Sequence, residues 1–497
     1  MKRCILTGSL ALYLLSSTVL AQNSDQRLGQ IDFPVSCNDA AQDEVTEGTL
    51  LLHHMMYRMA ESHFEAAAAA DPSCAMAQWG IAMSNFHPLW PGIQSPQERE
   101  NGLAAIAKAA GLDAPTSLEK AYLAAVSSFY DAELKAYPER KAAWAEKQRK
   151  LYVDFPDNSD AAAFAALAML AVAPPSDQTF ALQREAGSLL EDLHETVPQH
   201  PGALHYLIHA YDHPPLAETA LPYVQSYLEL APENPHALHM PSHIMTRLGR
   251  WKEAADLNRR SAAAVLAQPM IGGTVSNHYP HALDYLTYAL LQMGEFESAA
   301  ETVDTLLGTP KMHDVFGTAY AVAAAPARLV LEQQDWDAAA ALPDIPYEGL
   351  EWGRYPHALA IVAFAQGLGS ARNGDADGAK AALDRLAELS GIMTERKMGY
   401  WETLTKAQSG AIEAWLAYEA GSTDAALKMM EESAEIEDSV GKAPVTPSHV
   451  LPVGEQLGDM LRLLGDSEAA IKAYSAALAI SPNRRRSLAG ISETSGE

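Results

Sequence analysis

An all-α helical-hairpin solenoid is the fold class this sequence predicts, and three observations carry that reading. The same five-residue frame recurs near both ends of the chain. Proline opens a series of similar blocks through its middle. No stretch sustains the alternation of apolar and polar residues that a half-buried strand needs.

The N-terminus sets the compartment. Lys2 and Arg3 precede an apolar run from Ile5 to Leu20, which ends Val19-Leu20-Ala21 before polar Gln22. A basic start, a short apolar core and small residues at the end describe a secretory signal peptide. Cleavage is expected after Ala21, so 1–21 is the signal, 22–47 a lead-in, and the mature chain periplasmic or secreted. The run is short and Ser/Thr-rich for a membrane span, and no later stretch is long enough, so no membrane insertion is expected. Cys37 and Cys74 remain after processing, a pair that an oxidising compartment allows to form one disulfide. Cys-x-x-Cys is absent, as is Cys-x-x-Cys-His, so c-type haem attachment is not expected. The balance of 35 Lys and Arg against 63 Asp and Glu, a formal net charge of −28, repels phosphate backbones. Nucleic acid is therefore not an expected partner.

Gly48, Ala60, Phe64, Ala67 and Pro72 stand at offsets 0, 12, 16, 19 and 24, and Gly458, Ala470, Tyr474, Ala477 and Pro482 reproduce all five. Small residues at the first two positions let paired helices approach closely. The aromatic fills the space between hairpins, and the proline stops the second helix. This small–large–small grammar resembles the tetratricopeptide repeat (TPR), a helix–turn–helix unit of about 34 residues. Between the two frames, Gly249-Arg250-Trp251, Gly294-Glu295-Phe296 and Asp335-Trp336 each read as a turn entering a second helix. Hairpins of this kind bury their apolar faces only by stacking, so one continuous superhelix is expected over 48–483, less regular at 121–171. Residues 484–497 read as a tail.

Histidines recur on that frame. Pro201-Gly-Ala-Leu-His205 is followed by Pro235-His236-Ala-Leu-His239, then Pro280-His281-Ala-Leu-Asp284 and Pro356-His357-Ala-Leu359. Proline at a first helical position loses no intrahelical bond, so each block should open the first helix of a repeat. His205 and His209 then match His239 and His243, with Asp284 and Tyr288 in the same places one unit later. Spacing of i and i+4 puts each pair on one helix face, and the TPR resemblance turns that face toward the concave groove. Neighbouring helices pack roughly 10 Å apart, so four imidazoles can converge. Asp284 lies beyond them, Asp212 and His213 at one end, and His236 and His281 near the helix starts. Pro241, between His239 and His243, is expected to weaken that geometry.

Helix-borne His pairs suit a divalent transition metal (zinc, iron, copper or manganese), with His205, His209, His239, His243 and Asp284 as ligands. Asp284 and Tyr288 are the catalytic candidates if the site is a metal-dependent hydrolase or oxidase. The competing reading is a groove that holds an extended peptide, a protein or a small molecule through Trp79, Met83, His87, Asp212, His213, His236 and His281. Trp90 would extend its aromatic end. A third reading makes the histidines purely structural. No phosphate-binding loop or dinucleotide fingerprint appears, so no nucleotide cofactor is expected, and no Gly-x-Ser-x-Gly elbow appears either. The strings from His205 to Pro214 and from His236 to His243 resemble a group of exported, His-rich bacterial TPR proteins with no defined role, so the resemblance implies no reaction.

Overall fold

The computed structural model describes residues 27–89, 94–134, 136–443 and 446–496. The expected signal with its cleavage point, and Trp90, lie outside the described residues. Among those described, 23 α-helices run from Asp39–His53 to Arg485–Ser495, and the one β feature is an isolated bridge between Val275 and Met312. No described helix is long and apolar enough to cross a membrane.

The helices start where local chemistry supplies a cap. Asn38, Asn158 and Asn234 each accept from a backbone N–H of the following helix, and Ser95 with Glu98 and Thr116 with Glu119 form reciprocal capping boxes. Pro201, Pro235 and Pro356 stand at the openings of helices Pro201–Tyr211, Pro235–Arg247 and Pro356–Arg372. Pro280 is instead the third residue of helix His278–Met293. Helix Pro235–Arg247 runs through Pro241.

Consecutive helices pack as hairpins, and the repeat frame explains how they stack. A Cβ on Gly48 would lie 2.8 Å from the Phe64 ring, and one on Gly80 would lie 2.0 Å from it. Phe64 is thus clamped between glycines of successive hairpins. Tyr474 is held the same way by Gly458 and Gly490, where added Cβ atoms would come within 2.6 and 2.4 Å. The fold is a TPR-like helical-hairpin solenoid. The irregular stretch at 121–171 is accommodated by helices Ser117–Phe129, Tyr137–Asp154 and Ser159–Val172, and the stretch read as a tail forms helix Arg485–Ser495.

The solenoid closes on itself. Helix Asp39–His53 packs on Pro201–Tyr211, and Arg485–Ser495 packs on His278–Met293. The Trp251 indole donates to the Asn483 carbonyl (2.8 Å), and Lys442 pairs with Asp212 across 230 positions of the chain. Gly249, at φ +64°, has no room for a side chain, since a Cβ would meet the Pro482 carbonyl at 2.2 Å. Closure converts the inner face of the superhelix from an open groove into an interior.

Cys37 and Cys74 form a disulfide with Cα atoms 5.1 Å apart, closing a loop of 37 residues between the lead-in and helix Ala75–Ser84. Loop-closure entropy for that length makes Cys37→Ser/Cys74→Ser less stable by about 3–4 kcal/mol. Urea unfolding of the double variant should show the drop in midpoint, and an unchanged midpoint would mean the bridge constrains nothing in the unfolded chain.

Candidate metal centre

Two histidine triads form on the closed inner face. His205 and His209, from helix Pro201–Tyr211, gather with His236 from the start of Pro235–Arg247. His239 and His243, from that second helix, gather with His281 from the start of His278–Met293. In each triad the candidate ligand atoms lie within 4.8 Å of one another. The arrangement follows from the repeat: an i, i+4 pair on one first helix faces the opening turn of the next. The triads adjoin, with the His209 and His243 rings 6.0 Å apart and those of His236 and His239 also 6.0 Å apart. In the first Pro-block the position of His236 and His281 is Gly202. A Cβ there would come within 2.5 Å of His53 Nδ1, so the glycine makes room for another ring.

Hydrogen bonds fix which nitrogen carries the proton on His239, His243 and His205. Asn258 Nδ2 donates to the Ala254 carbonyl (2.8 Å), so its Oδ1 accepts, and His239 Nδ1–H donates to it at 2.7 Å. His243 Nδ1–H donates to Asp212 Oδ2 at 2.8 Å. Burial alone would raise the Asp212 carboxyl, but Lys442, His243 and Arg247 together hold it well below the usual carboxylate range. Both Nε2 atoms therefore bear lone pairs, and they face each other at 2.9 Å. In the other triad His205 Nδ1–H donates to the His53 carbonyl at 2.5 Å, leaving its Nε2 lone pair 3.1 Å from His236 Nε2. Among the described residues His209 Nε2 and His236 Nδ1 have no hydrogen-bond partner.

The two lone pairs of His239 and His243 repel at 2.9 Å unless a cation lies between them. A proton is a poor candidate, because burial pushes His209, His239 and His243 down to about 3. Burial likewise holds His205, His236 and His281 well below their ordinary value. A metal ion fits better. With metal–nitrogen bonds of about 2.0–2.1 Å, separations of 2.9 and 3.1 Å subtend about 90° and about 98° at the ion. The orienting contacts from Asp212, Asn258 and a backbone carbonyl are those that metal-bound imidazoles ordinarily have.

A third cluster, His53, Asp160 and His200, is arranged differently. His200 Nδ1 accepts from the Ala203 backbone N–H, so its Nε2–H points toward Asp160 Oδ1 at 3.5 Å. His53 Nδ1 accepts from the Tyr206 hydroxyl (3.1 Å), and its Nε2–H donates to the same oxygen at 2.8 Å. N–H groups rather than lone pairs face this carboxylate, and among the described residues Asp160 Oδ2 and His200 Nε2 have no hydrogen-bond partner.

A cavity of about 650 Å³ reaches the first triad at His209 and is lined beyond it by Asp212, His213, Arg247, Lys442 and Tyr400. His213 packs on Phe180 there. Asp284 lies elsewhere, in a buried pair with Arg328 (3.3 Å), and the Tyr288 hydroxyl accepts from Arg484 at 3.0 Å. Neither joins a triad. Trp79 and Met83 are core residues, the indole stacked on Phe33 and edge-on to Tyr122. His87 bonds Glu98 at 2.9 Å, away from the triads. The sequence placed His236 and His281 near the pairs but did not join them as ligands. Their recurrence one residue after the proline of each block was the available signal.

No family model matches the chain, and no curated protein matches it. Among solved structures it is similar to the Naa15/Naa10 complex bound to HypK-THB, at 12% identity and a TM-score of 0.25. That match covers 92% of this chain and 60% of the other, so the chain spans less than two thirds of its neighbour's length.

Proposed function

We propose that this chain is a helical-repeat metalloprotein in which two adjacent histidine triads each hold one transition-metal ion within reach of a small molecule. The observation that carries the reading is the pair of Nε2 lone pairs on His239 and His243, facing at 2.9 Å with both Nδ1 atoms committed to acceptors. Six neutral imidazoles without a carboxylate in the inner set favour zinc, copper or iron over manganese. An ion on three protein ligands keeps a coordination position open for water or dioxygen. Contact between His209 and the cavity supports a metal-dependent hydrolase or oxidase over passive storage. Enclosure of all six histidines supports a small ligand rather than an extended peptide. The Cys37–Cys74 bridge accords with export to an oxidising compartment.

The test is total metal analysis of the mature protein purified without a His tag. About two ions per chain are expected, both lost when His205, His209, His239 and His243 are changed to Ala in a protein of unchanged helicity. No metal in the wild type, even after reconstitution, would sink the reading.

A further inference from the structure

The cavity beside the first triad is charged in a way the metal reading does not require. Arg247, Lys442 and Lys141 line it. Burial pushes Lys442 and Lys141 down only to about 8, so both are largely cationic at neutral pH. Asp212, a buried carboxylate of the lining, is already shared by His243, Lys442 and Arg247. Burial pushes Glu437 up to about 8, which leaves it neutral. Asp177 commits its carboxylate to Thr179 and Ala181, and Asp438 is exposed. The described lining therefore holds more buried positive than negative charge before any metal is added. Arg247 is 4% exposed, and its Nη2 has no hydrogen-bond partner among the described residues. A buried guanidinium with an unused donor is costly to maintain without an anion.

The remaining wall is apolar, with Leu89, Leu170, Phe180 and Leu457 among its residues. About 650 Å³ is the size of an ordinary small-molecule site. We infer that the cavity binds an organic monocarboxylate with an apolar body, its carboxylate paired with Arg247 and its body along the Leu89–Phe180 wall. The position of this ligand beside a metal rests on the proposed function; the anion preference rests on Arg247, Lys442 and Lys141 alone. Arg247 is then a substrate-positioning residue, since its fork can engage both carboxylate oxygens.

Calorimetric titration of the full chain with octanoate, octan-1-ol and octylamine tests this, on metal-loaded and chelator-treated samples whose metal content is measured in parallel. Octanoate should bind at least about tenfold tighter than octan-1-ol, the usual gain from a charge-assisted hydrogen bond, with octylamine weakest. Arg247→Gln should erase the preference. Should that variant fail to fold, Ala476→Trp, at an exposed lining position, should block octanoate with helicity retained. Octanoate binding no tighter than octan-1-ol, or unaffected by Arg247→Gln or by Ala476→Trp, overturns the inference. Metal present without octanoate binding would leave the metal centre standing, and octanoate binding without metal would do the reverse.

Discussion

Asp212→Asn should weaken metal binding at the His239–His243–His281 triad by about 10–100-fold, the usual cost of losing an orienting contact to a metal-bound imidazole. Asp212 receives the His243 Nδ1–H at 2.8 Å and is itself fixed by Lys442 and Arg247. An ionised carboxylate there makes the imidazole a better donor and locks its Nε2 lone pair toward the ion. An amide keeps the shape but loses the charge, and it offers its own N–H to two cationic neighbours. The effect should be confined to one of two steps in a chelator-competition titration, because His205 is oriented by the His53 carbonyl instead. Two unchanged steps would show that Asp212 serves Lys442 and Arg247 rather than a metal.

The parts of this site legible in the sequence are those set by local periodicity. Proline at the helix openings and histidines four and eight residues later define a face, and that face is where His205, His209, His239 and His243 lie. Pro241 leaves the second pair facing at 2.9 Å within one helix, so a proline there did not disperse it. The third member of each triad depends on how adjacent repeats offset, which spacing along one helix does not encode. Closure of the solenoid was less legible still. It depends on Asn483 meeting Trp251 and on Lys442 meeting Asp212, contacts between residues separated by 232 and 230 positions. The same long-range packing removed Asp284 and Tyr288 from the metal set, because Arg328 and Arg484 arrive from later repeats to occupy them. Asn258, on the second helix of its hairpin, carried no pattern that marked it as a partner of His239.

Arg484→Ala should cost about 3–5 kcal/mol at neutral pH, the cost of leaving buried charge without its partner. Arg484 is fully buried and donates to Glu455 through two nitrogens (2.8 and 2.6 Å), to Glu332 (2.6 Å) and to the Tyr288 hydroxyl (3.0 Å). The loss has a pH signature that a packing defect lacks. In the wild type, burial alone would raise Glu455, but Arg484 and Arg486 hold it below its ordinary value. A depressed carboxyl stabilises above the unfolded value of about 4.3 and loses that contribution as pH falls through its folded value. Without Arg484, burial dominates and the Glu455 value rises above the unfolded one. Its contribution is then present at low pH and lost as pH rises. Urea midpoints of variant and wild type should therefore converge on acidification toward pH ~4, and a gap that stays constant would mean the guanidinium acts only by filling space. The same tie secures helix Arg485–Ser495 against His278–Met293, the helix that brings His281 to its triad. Loss of Arg484 should accordingly loosen the triad to which His281 belongs before the one built on His205, which links closure of the solenoid to the geometry of the metal centre.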